Sequence, residues 1–148
     1  MLIREVMTES VVTAEPQRTV REIAELMRER NVGSVVLVED GRPTGFVTDR
    51  DLALSVIADG RDHGDHIGDH ASSPVIHVEP SMELEEAAEL MIRHGIRRLV
   101  VVDGGRLSGI VTLDDLVSRT GDANLAAQLS TRVTRAVMPD FFFHERGA

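Results

Sequence analysis

The chain has 148 residues, of which 42% are hydrophobic and 28% charged, enough for one compact domain or for two halves that share a core. Its formal net charge of -9 at pH 7 lacks the basic surface that phosphate backbones attract, which argues against nucleic acid and anionic membranes as partners. The absence of cysteine excludes thiol catalysis, disulfides and Cys-ligated zinc.

The N-terminal stretch MLIREVMTES has no signal-type apolar segment, and the longest apolar runs of the chain have the length of strands. The sequence therefore predicts neither export nor a membrane span. We expect a cytoplasmic protein.

An internal repeat organises the chain. An offset of 64 aligns residues 7–54 with 71–118 without a gap, and about a third of the aligned positions are identical. The matches fall in segments of helical period as well as in segments of strand period, so the whole unit is duplicated.

The first copy begins with a short strand near residues 11–13. Thr19 and Glu22 then form a capping box for an amphipathic helix, and Asn31, a residue type that tolerates the left-handed conformation, ends that helix. Apolar residues 35–38 predict a strand covered on both faces. A turn leads to a further strand at 45–48, and a second helix follows.

The second copy repeats this order, with strands near residues 75–78, 99–102 and 109–112 and with Gly95 ending its first helix. Each unit is β-α-β-β-α, and its three-stranded sheet is too small to be stable alone. The expected fold class is α/β (α+β), with tandem units packed by their small sheets in pseudo-twofold symmetry.

The same pattern divides the chain into four segments. Residues 1–57 form the first unit, and the polar, Gly-rich residues 58–70 form a linker with a short helical entry to the second unit. Residues 71–120 form the second unit. Residues 121–148 form a C-terminal tail, with helical periodicity over 123–137 and the apolar run Phe141, Phe142 and Phe143, which we expect to fold back or to pack on a second chain.

The most specific repeated feature is a glycine, two apolar residues, a threonine and an aspartate three positions later. It places Thr48 and Asp51 at the start of one helix and Thr112 and Asp115 at the start of another. This spacing is close to a capping box, which needs no ligand. A hydroxyl at a strand end, beside a helix N-terminus and a carboxylate, also suits a small ligand with a phosphate and a diol.

The two motifs, together with the IRRLVVVD stretch at residues 96–103, resemble the paired CBS (cystathionine-β-synthase) domain, or Bateman module. The resemblance covers roughly residues 3–120. It implies two clefts between the units that bind adenosine nucleotides or S-adenosylmethionine. By this resemblance Thr48 and Thr112 contact phosphate, and Asp51 and Asp115 accept hydrogen bonds from ribose hydroxyls.

The resemblance also implies that Ile96, Arg97 and Arg98 line one cleft, where the arginines neutralise a phosphate; the alternative is a solvated joint between helix and strand. The first copy has Gly33 and Ser34 at the positions of the two arginines, so we expect the cleft that uses Asp51 to be the weaker site. His77 lies near the family's adenine contact, or is a surface or packed histidine.

The sequence favours neither a metal site nor a catalytic site. His63, His66 and His70 have a spacing that could bind zinc, but two glycines interrupt that segment, which favours an exposed linker and no metal site. Asp49 with Asp51, and Asp114 with Asp115, lack a nearby nucleophile, histidine base or oxyanion donors. We therefore expect no catalytic residues.

The favoured function is that of a stand-alone regulatory module without enzymatic activity. It would need no cofactor, bind AMP, ADP, ATP or S-adenosylmethionine in a cleft between the units, form a homodimer and signal to an unknown client protein. The alternative is a structural or interaction protein that dimerises through the paired units and the tail. The least favoured hypothesis is a nucleotide-hydrolysing or metal-dependent enzyme.

Overall fold

The computed structural model describes residues 1–137. The predicted role of Phe141, Phe142 and Phe143 lies outside the described residues and stays a prediction. Within 1–137, no helix is long and apolar enough to cross a bilayer.

The first copy contains three strands and two helical segments. They are β1 (Thr13–Ala14), the first long helix (Val20–Arg30), β2 (Ser34–Glu39), β3 (Arg42–Thr48) and a second helix that starts at Asp49. A short helix, α1 (Ile3–Val6), precedes them, so the long helix is α2. β1 pairs in parallel with β2, and β2 pairs with β3 as an antiparallel hairpin.

The second helix of the first copy changes its winding. One α-helical turn, α3 (Asp49–Asp51), continues as a π-helix over Leu52–Ile57. The wider winding appears in the hydrogen bond from the Ala58 N–H to the Ala53 carbonyl, five residues back, at 2.9 Å. The sequence indicated an ordinary helix here, and the repeat gave no sign of the change.

The second copy has the same element order. Its elements are β4 (His77–Val78), α4 (Leu84–His94), β5 (Arg98–Asp103), β6 (Arg106–Thr112) and α5 (Leu113–Arg119), with sheet order β4-β5-β6. A last helix, α6, spans Ala123–Val137. The predicted mixed fold with two small three-stranded sheets is therefore confirmed.

The caps of the long helices agree with the sequence. Thr19 and Glu22 form the predicted capping box of α2. Asn31 and Gly95 end α2 and α4 with φ of 52° and 62°, so both adopt the left-handed conformation. α4 begins at a box formed by Glu83 and Glu86 instead, which the Ser/Thr rule did not predict.

The chain forms two compact bodies, each with its own core. Within the described residues, one contains 9–77 and 102–108, and the other contains 1–8, 78–101 and 109–137. The buried side chains of the first body include Ile23, Val35, Val47 and Ile67. The core cluster of the second body contains Ile3, Val6, Val78, Leu84, Ala87, Ala88, Met91, Leu99, Val101, Val111, Leu113, Leu116, Leu129 and Val133.

The segment at residues 58–70 is more ordered than a solvated linker. It contains a 3-10 helix, Ile67–His70, and the Ile67 side chain is fully buried. The Ile67 N–H donates to the Arg18 carbonyl at 2.7 Å, and the Gly68 N–H donates to the Pro16 carbonyl at 3.0 Å. This part of the linker therefore belongs to the first core.

Candidate functional site

Close backbone approach explains the glycine that opens the second motif. Thr8 and Ile110 exchange two backbone hydrogen bonds of 2.8 and 2.9 Å. A Cβ atom on Gly109 would lie 2.8 Å from the Thr8 carbonyl oxygen, closer than a real Cβ approaches an oxygen. Glycine at this position therefore lets residues 7 and 8 lie against β6.

The first motif has the same arrangement. Phe46 and Ser72 exchange backbone hydrogen bonds of 2.9 and 3.1 Å, and a Cβ on Gly45 would lie 3.1 Å from the Ala71 Cβ. The segment at residues 71–72 is thereby held beside β3.

Thr112 and Asp115 cap the start of α5 reciprocally. The Thr112 N–H and hydroxyl both donate to Asp115 Oδ2, at 2.8 and 2.9 Å. The Asp115 N–H donates back to the Thr112 hydroxyl oxygen at 3.1 Å. The second motif therefore forms the capping box that its spacing predicts.

Thr48 and Asp51 repeat this geometry at the start of α3. Asp51 Oδ2 accepts from the Thr48 N–H at 2.8 Å and from its hydroxyl at 3.1 Å, and the Asp51 N–H donates to the Thr48 hydroxyl oxygen at 3.3 Å. In both motifs the cap uses Oδ2 of the aspartate. Capping therefore leaves the second carboxylate oxygen, Oδ1, for another partner.

Arginine side chains surround the second motif. Arg119 Nη2 lies 3.8 Å from Asp115 Oδ1, and Arg97 Nη2 lies 3.8 Å from Asp114 Oδ1. The Arg97 carbonyl accepts the Leu113 N–H at 2.9 Å, which fixes the start of α5 beside the start of β5. Arg97 is exposed, whereas Ile96 and Arg98 are half-buried.

A polar cavity of about 400 Å³ adjoins the first motif. Asp51, Ser55 and Asp59 recur every four residues and form one wall, since side chains at that spacing share a helix face. The segment that carries Ala71 and Ser72 contributes the opposite side. The complete lining is Asp51, Ser55, Asp59, Arg61, Asp69, His70, Ala71 and Ser72.

His70 is the most enclosed polar side chain of this cavity, with only 4% of its side chain exposed. Its Nε2 lies 3.1 Å from Asp65 Oδ2, and Arg61 Nε lies 3.5 Å from the same oxygen. His63 and His66 are exposed, and within residues 1–137 no three His, Asp or Glu side chains converge on a common metal position.

His77 does not lie in this cavity. It is exposed, and its Nδ1 lies 3.2 Å from the Val75 carbonyl oxygen. The adenine contact suggested for His77 stays a prediction, as do the ligand roles of Thr48, Thr112 and the residues of the IRRLVVVD stretch.

Of the eight lining residues, sequence reasoning gave a ligand role only to Asp51 and considered His70 only for a metal. It missed Ser55, Asp59, Arg61, Asp69, Ala71 and Ser72. One signal was available, because the 64-residue offset aligns Ser72 with Thr8 and His70 with the buried Val6. The alignment therefore places His70 at a core position. A polar side chain at such a position is expected to have a hydrogen-bond partner.

The chain was compared with known proteins. The profile of the CBS domain matches residues 3–57 and 67–121. The CBS domain-containing protein YhcV of Bacillus subtilis is 43% identical over 114 residues, which are 77% of this chain and 81% of that protein.

Two solved structures are also similar. One is a putative signal-transduction protein with CBS domains from Burkholderia ambifaria, 31% identical with a TM-score of 0.70, covering 76% of this chain and 84% of that one. The other is CBS domain protein PAE2072 from Pyrobaculum aerophilum complexed with AMP, 30% identical with a TM-score of 0.76, covering 88% of this chain and 99% of that one.

Proposed function

This chain belongs to the CBS domain family, as a pair of such domains, and from that premise we propose that it is a regulatory module that binds an adenosine-containing ligand. The ligand would contact the motif of each copy, with the Thr48 and Thr112 hydroxyls toward its 5′ substituent, a phosphate in the case of AMP, and the aspartates toward ribose hydroxyls. The similar structure that holds AMP supports this ligand class.

The proposal rests on one observation: in each aspartate the helix cap uses only one of the two carboxylate oxygens. Asp115 Oδ2 accepts both hydrogen bonds from Thr112, and Asp51 Oδ2 accepts both from Thr48. A ribose hydroxyl can therefore bind Oδ1 while the helix cap stays intact. Capping and ligand binding do not compete for one atom.

The proposal includes no catalysis and no required cofactor. The aspartates of the two motifs are engaged with backbone and hydroxyl donors, and no histidine is hydrogen-bonded to a serine or threonine hydroxyl within residues 1–137. Such a pair is the commonest arrangement that activates a hydroxyl nucleophile. Appearance of adenosine or inorganic phosphate after incubation of AMP with purified protein would contradict this part.

Isothermal titration of AMP into the full chain tests the binding proposal. We expect a saturable heat, and we expect Asp115→Asn to weaken binding about ten- to a hundredfold, the loss associated with a charge-assisted hydrogen bond. Glu85→Gln is the matched control, because that carboxylate is exposed on α4 and lies outside the motif and its arginines. It should change the affinity by no more than about twofold.

A structural or interaction role is the alternative. It predicts no heat with AMP, ADP, ATP or S-adenosylmethionine. For both roles we also propose a homodimer, a cytoplasmic location and a client protein of unknown identity. The mass of the full chain in sedimentation equilibrium tests the dimer, and a monomer at all concentrations would contradict it.

A further inference from the structure

The two motifs differ in the charged side chains around them. Three carboxylates, Asp51, Asp59 and Asp69, line the cavity at the first motif, with Arg61 as its one arginine. The Arg61 guanidinium is already within 3.5 Å of Asp65, which lies just outside the lining. The charge facing a ligand there is therefore negative.

The second motif has arginine side chains beside its carboxylates. Arg97 lies 3.8 Å from Asp114 and Arg119 lies 3.8 Å from Asp115, and Arg119 Nη1 also donates to the Val6 carbonyl at 2.9 Å. An arginine guanidinium can bind a phosphate through two parallel hydrogen bonds. The first motif has Gly33, Ser34 and Ser55 at the positions of Arg97, Arg98 and Arg119. Its own Arg50 is exposed and does not line the cavity.

We propose that the cavity beside Asp51 binds an adenosine derivative without a phosphate, neutral or cationic in its 5′ substituent, and that it discriminates against adenosine phosphates. This inference rests on the proposed function, because it assigns a ligand class to one of its two motifs. The physical reason is repulsion between a phosphate dianion and the three carboxylates, weakly screened at these short distances.

The walls of the cavity are suited to such a ligand. The Ser55 and Ser72 hydroxyls can donate or accept hydrogen bonds, and Asp51 has Oδ1 free of its cap for a ribose hydroxyl. Asp59 and Asp69 are exposed at the rim, where they would face a sulfonium or ammonium group. His70, held by Asp65 at 3.1 Å, closes the inner end.

The test compares two probes with opposite charge, AMP and S-adenosylmethionine, on the full chain. Binding at the first motif is followed by the backbone amide resonances of Asp51 and Ser55, and binding at the second by that of Thr112. In the wild-type protein, S-adenosylmethionine should shift the Asp51 and Ser55 resonances. At the same concentration, AMP should shift only the Thr112 resonance.

The double variant Asp59→Asn with Asp69→Asn removes two rim charges and leaves Asp51 in place. We expect S-adenosylmethionine binding at the first motif to weaken about tenfold and AMP binding there to strengthen, since the Coulomb energy of each pair changes sign with the ligand charge. The control, Glu25→Gln with Glu29→Gln on α2, makes the same change in net charge outside the cavity lining and should alter neither affinity.

The outcomes separate the two proposals. Affinities at the first motif that are unchanged in the double variant, or that move in the same direction for both probes, overturn the charge discrimination and leave the binding function standing. Preferential AMP binding at the first motif of the wild type also overturns it. Absence of binding by either probe at either motif rejects the proposed function together with this inference.

Discussion

Asp115 accepts hydrogen bonds from both the backbone N–H and the hydroxyl of Thr112, at 2.8 and 2.9 Å, through a single carboxylate oxygen. The side chain is only 16% exposed, so these bonds are sheltered from water. The motif therefore has a structural role in this chain whether or not a ligand is present.

The cap predicts a stability effect in the absence of ligand. Asp115→Ala should lower the free energy of unfolding by about 0.5–2 kcal/mol, because the Thr112 N–H loses its acceptor. Urea unfolding measures the change, with Asp114→Ala as the control. Equal stability of Asp115→Ala and wild type would show that the cap contributes nothing.

The close approach at Gly109 predicts a steric effect. Gly109→Ala should destabilise by about 1–3 kcal/mol, because the new methyl group would meet the Thr8 backbone carbonyl, which cannot rotate away. Gly45→Ala should cost less, since it meets the Ala71 and Leu37 side chains at 3.1 and 3.3 Å. Thermal unfolding of both variants gives the order, and a larger loss for Gly45→Ala would contradict this explanation.

The buried part of the linker predicts a packing effect. Ile67→Ala should lower the free energy of unfolding by about 2–5 kcal/mol, as expected for a large-to-small substitution in a core. His66→Ala, at the exposed neighbouring position, is the control. If both variants unfold at the wild-type urea concentration, residues 58–70 behave as a solvated linker.

The start of α2 predicts a pH effect. Hydrogen bonds from the Arg18 side chain and the Thr19 N–H lower the pKa of Glu22 below its ordinary value of 4.5. A depressed pKa in the folded state means that the carboxylate contributes stability above about pH 4.5, which is lost as the pH falls through the folded-state pKa.

Glu22→Gln should therefore lose less stability than wild type between about pH 5 and pH 3. This range covers the ordinary pKa of a glutamate and the lower pKa of Glu22 in the folded state. Urea unfolding across that range measures it. Glu29→Gln, on the same helix, provides the comparison. Identical pH profiles for wild type and Glu22→Gln would refute the coupling.

Local signals predicted the local structure well. The box of Thr19 and Glu22 and the left-handed ends at Asn31 and Gly95 depend on neighbours within one helical turn, so a single sequence contains them. The period-two and period-3.6 patterns likewise gave the element order, and the 64-residue repeat fixed the number of units.

Features that depend on distant residues were not predicted. α1 and the pairing of Thr8 with Ile110 join segments about a hundred positions apart, and no local pattern encodes such contacts. The cavity is another case, because Asp51 and Ser72 line it together and Ser72 is held beside β3 by its pairing with Phe46. The π-helical winding of Leu52–Ile57 had no sequence signal that we recognise.

The most direct test of the central claim is a titration of the full chain with AMP, followed by the backbone amide resonances of Thr112 and Asp115. The account predicts saturable shifts of both resonances while the Glu25 and Glu29 resonances on α2 stay in place. Unchanged Thr112 and Asp115 resonances at a large excess of AMP would contradict it and leave the motif as a helix cap alone.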